Sequence, residues 1–151
     1  MTKTSPVGSL TEPKRLPEIF MNHKVKYLAT ANISYPVDFM NKILRAKQTN
    51  GPSYIQISTP CVPAWGIESA QMIRIAKKAV TTGYDILYEF IEDEVILSNL
   101  SRPYLDKLKR DPLIEYLKPQ KRFSQIIDNP QALTELDEKI DKHWERLSII
   151  R

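Results

Sequence analysis

A short strand pattern that runs straight into the only cysteine of the chain is the feature around which the rest of the sequence has to be arranged. In Gly51-Pro52-Ser53-Tyr54-Ile55-Gln56-Ile57-Ser58-Thr59-Pro60-Cys61-Val62-Pro63-Ala64-Trp65-Gly66, Tyr54, Ile55 and Ile57 carry the aromatic and β-branched bias of a strand. Gly51 and Pro52 bound it on one side and Pro60 closes it on the other. Such a strand delivers Cys61 to a sheet edge. Pro60, Pro63 and Gly66 restrict the backbone and set the sulfur beside Trp65. That setting suits either a metal-ligand loop or a buried core thiol, and the pattern alone leaves both open.

The flanking segments supply a sheet for this strand to join. Val25 to Ala31 has the apolar bias of an interior strand, and Pro36 to Lys47 reads as a helix with Pro36 at its start and Asp38 in its first turn. Its apolar stripe of Met40, Ile43 and Leu44, joined by Phe39, is expected to face the core, with Lys42, Arg45 and Lys47 toward its end. Strand, helix and the Tyr54 to Ser58 strand form a βαβ unit, which implies parallel pairing and a right-handed crossover. Glu68 to Val80 is the next helix, with Ile67, Met72, Ile73, Ala76, Ala79 and Val80 buried, Arg74, Lys77 and Lys78 in water, and Gly83 as its stop. Tyr84 to Tyr88 and Val95 to Leu97 read as a strand pair, or as one strand followed by a return segment, joined by an acidic connection, Glu89 to Glu94, which is expected to be exposed because burying it without partners is costly.

Toward the termini the chain is helical or irregular. Met1 to Arg15 reads as loop and Pro17 to Asn22 as a short helix. Short segments follow Arg102, and Pro130, capped by Asn129, opens a final helix. Its Leu133, Leu136, Ile140, Trp144 and Leu147 make one face, docked either on this domain or on another subunit. The fold class is therefore α/β, with a parallel sheet and flanking helices.

With 151 residues, 42% of them hydrophobic and 26% charged, the chain has the makings of one core and one domain. No uninterrupted apolar run approaches membrane-spanning length and the first ten residues lack a signal-peptide pattern, so the expectation is a cytoplasmic protein with no membrane partner. The net charge of +4 is spread: residues 1–50 carry eight basic and three acidic side chains, 51–100 three and six, 101–151 eleven and nine. No dense basic face with interleaved aromatics results, and no nucleic-acid partner is expected. One cysteine makes neither an internal disulfide nor, alone, a structural zinc site. Phosphate-loop, dinucleotide-glycine, HExxH and CxxC motifs are all missing. His23 and His143 attract no catalytic role, and the cluster Lys118, Lys121 and Arg122 beside Phe123 reads first as a solvated helix edge.

Five stretches together resemble the C-terminal part of the beta subunit of 2-oxoacid:ferredoxin oxidoreductases, pyruvate synthase above all. They are Thr4-Ser5-Pro6-Val7-Gly8; Val25 to Ala31; Gly51 to Ile55 with Thr59-Pro60-Cys61; Ala79 to Tyr84 with Leu87-Tyr88-Glu89; and Pro112 to Gln120 leading to Arg122-Phe123. The resemblance implies the C-terminal portion of a thiamine-diphosphate-binding fold: residues 1–151 as a partial domain, 1–15 exposed or ordered by a partner, and 102–151 as a helical extension. It implies CoA-dependent oxidative decarboxylation of pyruvate or a related 2-oxoacid, with electrons passing through 4Fe-4S clusters to ferredoxin. Thiamine diphosphate and Mg2+ belong to the complete assembly, alongside alpha-, gamma- and delta-type subunits. By resemblance Thr4 and Ser5 lie near the cofactor and Cys61 is the fourth thiolate ligand of the cluster nearest it. The Gly-Asp-Gly segment and the first cysteine ligands that such subunits carry are not in this sequence. The expectation is thus a chain inactive alone, completed by the missing N-terminal portion or a split subunit. A noncatalytic interaction module derived from the same subunit is the alternative.

Overall fold

The segment YLATAN is buried at nearly every position and becomes the inner strand β1 (Tyr27–Asn32). The computed structural model describes residues 14–149. Thr4, Ser5 and most of the loop expected over residues 1–15 lie outside the described residues. Before β1 comes α1 (Leu16–Asn22), with Pro17 in its first turn. After β1, α2 (Pro36–Gln48) crosses over to β2 (Ser53–Ser58), which pairs with β1 in parallel from Tyr27 opposite Ser53 to Asn32 opposite Ser58. The expected βαβ unit is present.

Beyond it the sheet departs from the all-parallel expectation. β3 (Tyr88–Ile91) pairs antiparallel with β1 and with β4 (Glu94–Leu97), giving the order β2-β1-β3-β4 and a mixed sheet. The reason lies in the turn. Glu92 and Asp93 both take positive φ, 52° and 66°, the backbone of a two-residue hairpin whose twist matches that of antiparallel strands. Of the acidic run, Glu92, Asp93 and Glu94 are exposed as expected, and Glu89 is the exception. Glu89 lies within β3, buried, where Tyr27 Oη donates to its Oε2 at 2.7 Å and Arg45 Nη1 to its Oε1 at 2.5 Å. The partners that make burial tolerable come from β1 and α2, far away in sequence.

The two faces of the sheet are covered unequally. Leu28, Tyr88 and Phe90 meet Trp144, Ile140 and Leu147 of α7 (Pro130–Ile149) in one core, so the stripe on the last helix docks on its own domain. Asn129 caps that helix as expected, its Oδ1 accepting from the amides of Gln131 and Ala132. A second core joins α4 (Met72–Thr81) to α5 (Leu113–Leu117) through Ile75, Ala79, Tyr116 and Leu117. Here Ile75 takes the inward place expected of Ile73, which is exposed. Gly83 follows α4 with φ 77°; a Cβ there would come 2.8 Å from the Arg110 side chain, while its carbonyl accepts from Trp144 Nε1 at 2.9 Å.

On the opposite face α2 lies the other way round from expectation. Lys42 is the buried residue, at 1% exposure, whereas Val37, Met40 and Leu44 are more than half exposed. Lys42 Nζ donates to the Thr30 carbonyl at 2.8 Å, Asp38 Oδ2 at 2.7 Å and Ser98 Oγ at 2.8 Å, which uses all three of its protons. Lys42 and Arg45 both reach groups on or beside the sheet, and these anchors turn the apolar stripe outward. The result is an α/β fold with a mixed sheet and flanking helices. No described helix is long and apolar enough to cross a membrane.

Candidate functional site

β2 is an edge strand, and three residues past its end the chain presents Cys61 with its side chain exposed. Pro60 just before it is buried and fixes the loop to the domain. Cys61 then opens α3 (Val62–Trp65), its carbonyl accepting from the Trp65 amide at 2.8 Å. This one-turn helix ends at Gly66, φ 63°, where a Cβ would meet Lys121 at 2.8 Å. Behind Cys61, therefore, the backbone is fixed by a buried proline and a left-handed glycine, and the sulfur is in water. Cys61 is therefore not packed in the core formed by the described residues.

Trp65 supports the loop from within. The Arg122 guanidinium stacks on its ring at 3.6 Å and on Phe123 at 4.4 Å. Arg122 also donates to Gln120 Oε1 at 2.9 Å and to Tyr116 Oη at 3.1 Å. Burial lowers its pKa from the ordinary arginine value, with Tyr116 opposing that fall. The basic cluster is thus split: Lys118 and Lys121 are exposed, but Arg122 is a structural brace beneath the cysteine loop.

The ends of the two parallel strands gather a second set of groups that sequence reasoning passed over. Asn32, last in β1, donates from Nδ2 to Asp85 Oδ2 at 2.9 Å and to the Ala76 carbonyl at 3.1 Å. Burial raises the Asp85 pKa, while hydrogen bonds from Asn32 and Ser58 hold that rise back. A cavity of about 610 Å3 opens here, with Thr30, Ser58, Asp85, Tyr84 and His143 in its wall. The place accords with the rule that crevices form beyond the carboxyl ends of parallel strands. Burial, aided by Arg15 and Arg146, pushes the pKa of His143 down to about 4, so the ring is neutral at pH 7 and its 3.9 Å approach to Glu18 is no ion pair there. His23 is exposed.

Among the described residues no group of three or more His, Cys, Asp or Glu side chains converges as a metal site. A 4Fe-4S cluster takes several thiolates, so this chain's single cysteine does not complete one.

No family model matches the chain. It is 39% identical over 153 residues to pyruvate synthase subunit PorB of Methanothermobacter thermautotrophicus, a match covering 98% of this chain and 50% of that subunit. The chain is homologous to PorB/VorB-type 2-oxoacid:ferredoxin oxidoreductase beta subunits over nearly its full length. Against PorB of Thermotoga maritima the identity is 34%, over 97% of this chain and 46% of the subunit. Against ketoisovalerate oxidoreductase subunit VorB of Pyrococcus furiosus it is 35%, over 89% and 41%. The chain spans about half the length of the curated relatives it matches. Because relatives named for pyruvate and for ketoisovalerate both match, the similarity establishes membership in the beta-subunit family and not a single 2-oxoacid.

Proposed function

We propose that this chain is one part of a 2-oxoacid:ferredoxin oxidoreductase beta subunit, the C-terminal portion of a thiamine-diphosphate-binding fold in which residues 102–151 form the helical extension. It works in an assembly with the remaining beta-subunit portion, supplied as a missing N-terminal part or a split subunit, and with alpha-, gamma- and delta-type subunits. That assembly oxidatively decarboxylates pyruvate or a related 2-oxoacid with CoA and passes the electrons to ferredoxin. When bound, thiamine diphosphate supplies the carbanion equivalent that decarboxylation needs, and the protein's part is to hold and orient it. By itself the chain is inactive, since it completes neither the diphosphate site nor a cluster.

The observation that carries this reading at residue level is the exposed Cys61 on a braced loop at the end of an edge strand. An exposed soft ligand on a stiff backbone suits a thiolate that completes a cluster whose other ligands come from a different segment. The brace of Trp65 and Arg122 holds that loop in place. The test is Cys61→Ser in the reconstituted assembly, read by iron content and low-temperature electron paramagnetic resonance of the reduced state. The variant should keep its circular dichroism spectrum and lose iron and cluster signal. Full iron content with an unchanged resonance spectrum refutes the ligand role.

A further inference from the structure

The outward face of α2 is apolar. Val37 is 74% exposed, Met40 53% and Leu44 51%, with Ile43 beside them at 37%. At 100° per residue these four fall within one arc, and Lys42 lies opposite its centre. The helix thus buries an ammonium and presents its apolar stripe to solvent, the reverse of a surface helix on a complete domain. The sheet face on the side of α2 carries a further exposed apolar side chain. Ile57 shares the face of Ala29 and Glu89, the face that Arg45 of α2 reaches, and it is 42% exposed on a strand with no partner on its outer edge among the described residues. A cluster of large apolar side chains beside an open strand edge marks an interaction surface.

The occupant follows from the length of the relatives. They match nearly all of this chain yet hold about as much sequence again in the same subunit. A layer that covers α2 within such a subunit has to come from that further portion or from outside it. We propose that the α2 stripe with Ile57 is the seat of the remaining beta-subunit portion, and that this contact joins the two parts. The inference rests on the functional reading above and adds to it the residues that make the joint.

The probe is the part of M. thermautotrophicus PorB to which this chain does not align, produced together with the full chain and carrying the only affinity tag. Met40→Lys with Leu44→Lys changes two exposed helix positions to a residue that favours helix, so the circular dichroism spectrum should not move. The wild-type chain should co-purify with the probe, and the double variant should be retained about tenfold less. Leu108→Lys, at a 94% exposed position outside the patch, should be retained like wild type. Equal retention of the double variant overturns the docking face and leaves the functional reading intact. Failure of wild type to co-purify overturns the joint, and only if the assembly also fails to build a cluster does the functional reading fall with it. A dimer of the chain alone that the double variant dissolves also overturns the proposal, because the seat then belongs to a second copy.

Discussion

His143 should make the folded chain lose stability on mild acidification. Its side chain, 29% exposed, sits in the wall of the large cavity near Arg15, Glu18 and Arg146. Burial and the two arginines bring its pKa from 6.5 down to about 4. Between those values the unfolded chain binds a proton that the folded chain refuses, so the unfolded state gains as pH falls. The contribution is fully present above pH 6.5 and lost progressively down to pH 4. Integrated from pH 7 to pH 5, the loss is about 2 kcal/mol. His143→Gln removes the titrating group while keeping a polar side chain. Urea unfolding of both proteins at the two pH values isolates the effect, since all other titrating groups are common to them. Wild type should lose about 2 kcal/mol more than the variant. Equal losses would refute the claim that this ring is held neutral by burial and its basic neighbours.

Lys42→Ala should destabilise the chain by about 3–5 kcal/mol, because it leaves the Asp38 carboxylate, the Ser98 hydroxyl and the Thr30 carbonyl without their shared donor. Adding Asp38→Ala should recover part of that loss, as a double-mutant cycle in urea would show, and strictly additive losses would contradict the ion pair. Asp93→Gly should raise the thermal midpoint by a few degrees, since it relieves a left-handed backbone worth about 1 kcal/mol at a non-glycine residue. A lowered midpoint in a calorimetric scan would count against the strained hairpin.

Local pattern sufficed where one element settled its own placement. Pro36 and Asp38 mark the start of α2, the bias of Tyr54, Ile55 and Ile57 marks β2, and their connection through a helix makes the pairing with β1 parallel. The stripe from Leu133 to Leu147 marks a docking face on α7, and the core it shares with Leu28, Tyr88 and Phe90 places that face on this domain rather than on another subunit. Periodicity identifies a stripe without saying which side of the helix meets the sheet, and in α2 the answer came from distant groups, Thr30, Ser98 and Glu89, that hold Lys42 and Arg45 inward. Glu89 was read as exposed because nothing in the acidic run reveals that Tyr27 and Arg45 will be its partners. The same limit hid Asp85, whose neighbours Asn32 and Ser58 come from two strands far from it in sequence. At Cys61 the loop and its prolines were legible but the exposure was not, since Arg122 under Trp65 lies 57 positions further along the sequence.

Reduction of ferredoxin measures most directly whether this chain is a working part of a 2-oxoacid:ferredoxin oxidoreductase. The alpha-, gamma- and delta-type subunits and the remaining beta-subunit portion should be assembled with and without this chain, then given a 2-oxoacid, CoA, thiamine diphosphate and Mg2+. The account predicts CoA-dependent ferredoxin reduction with pyruvate or 2-oxoisovalerate only when the chain is present, and none from the chain alone. Equal reduction in its absence, or an assembly that binds the chain and stays inactive with every 2-oxoacid offered, would contradict the account and leave the chain a noncatalytic partner.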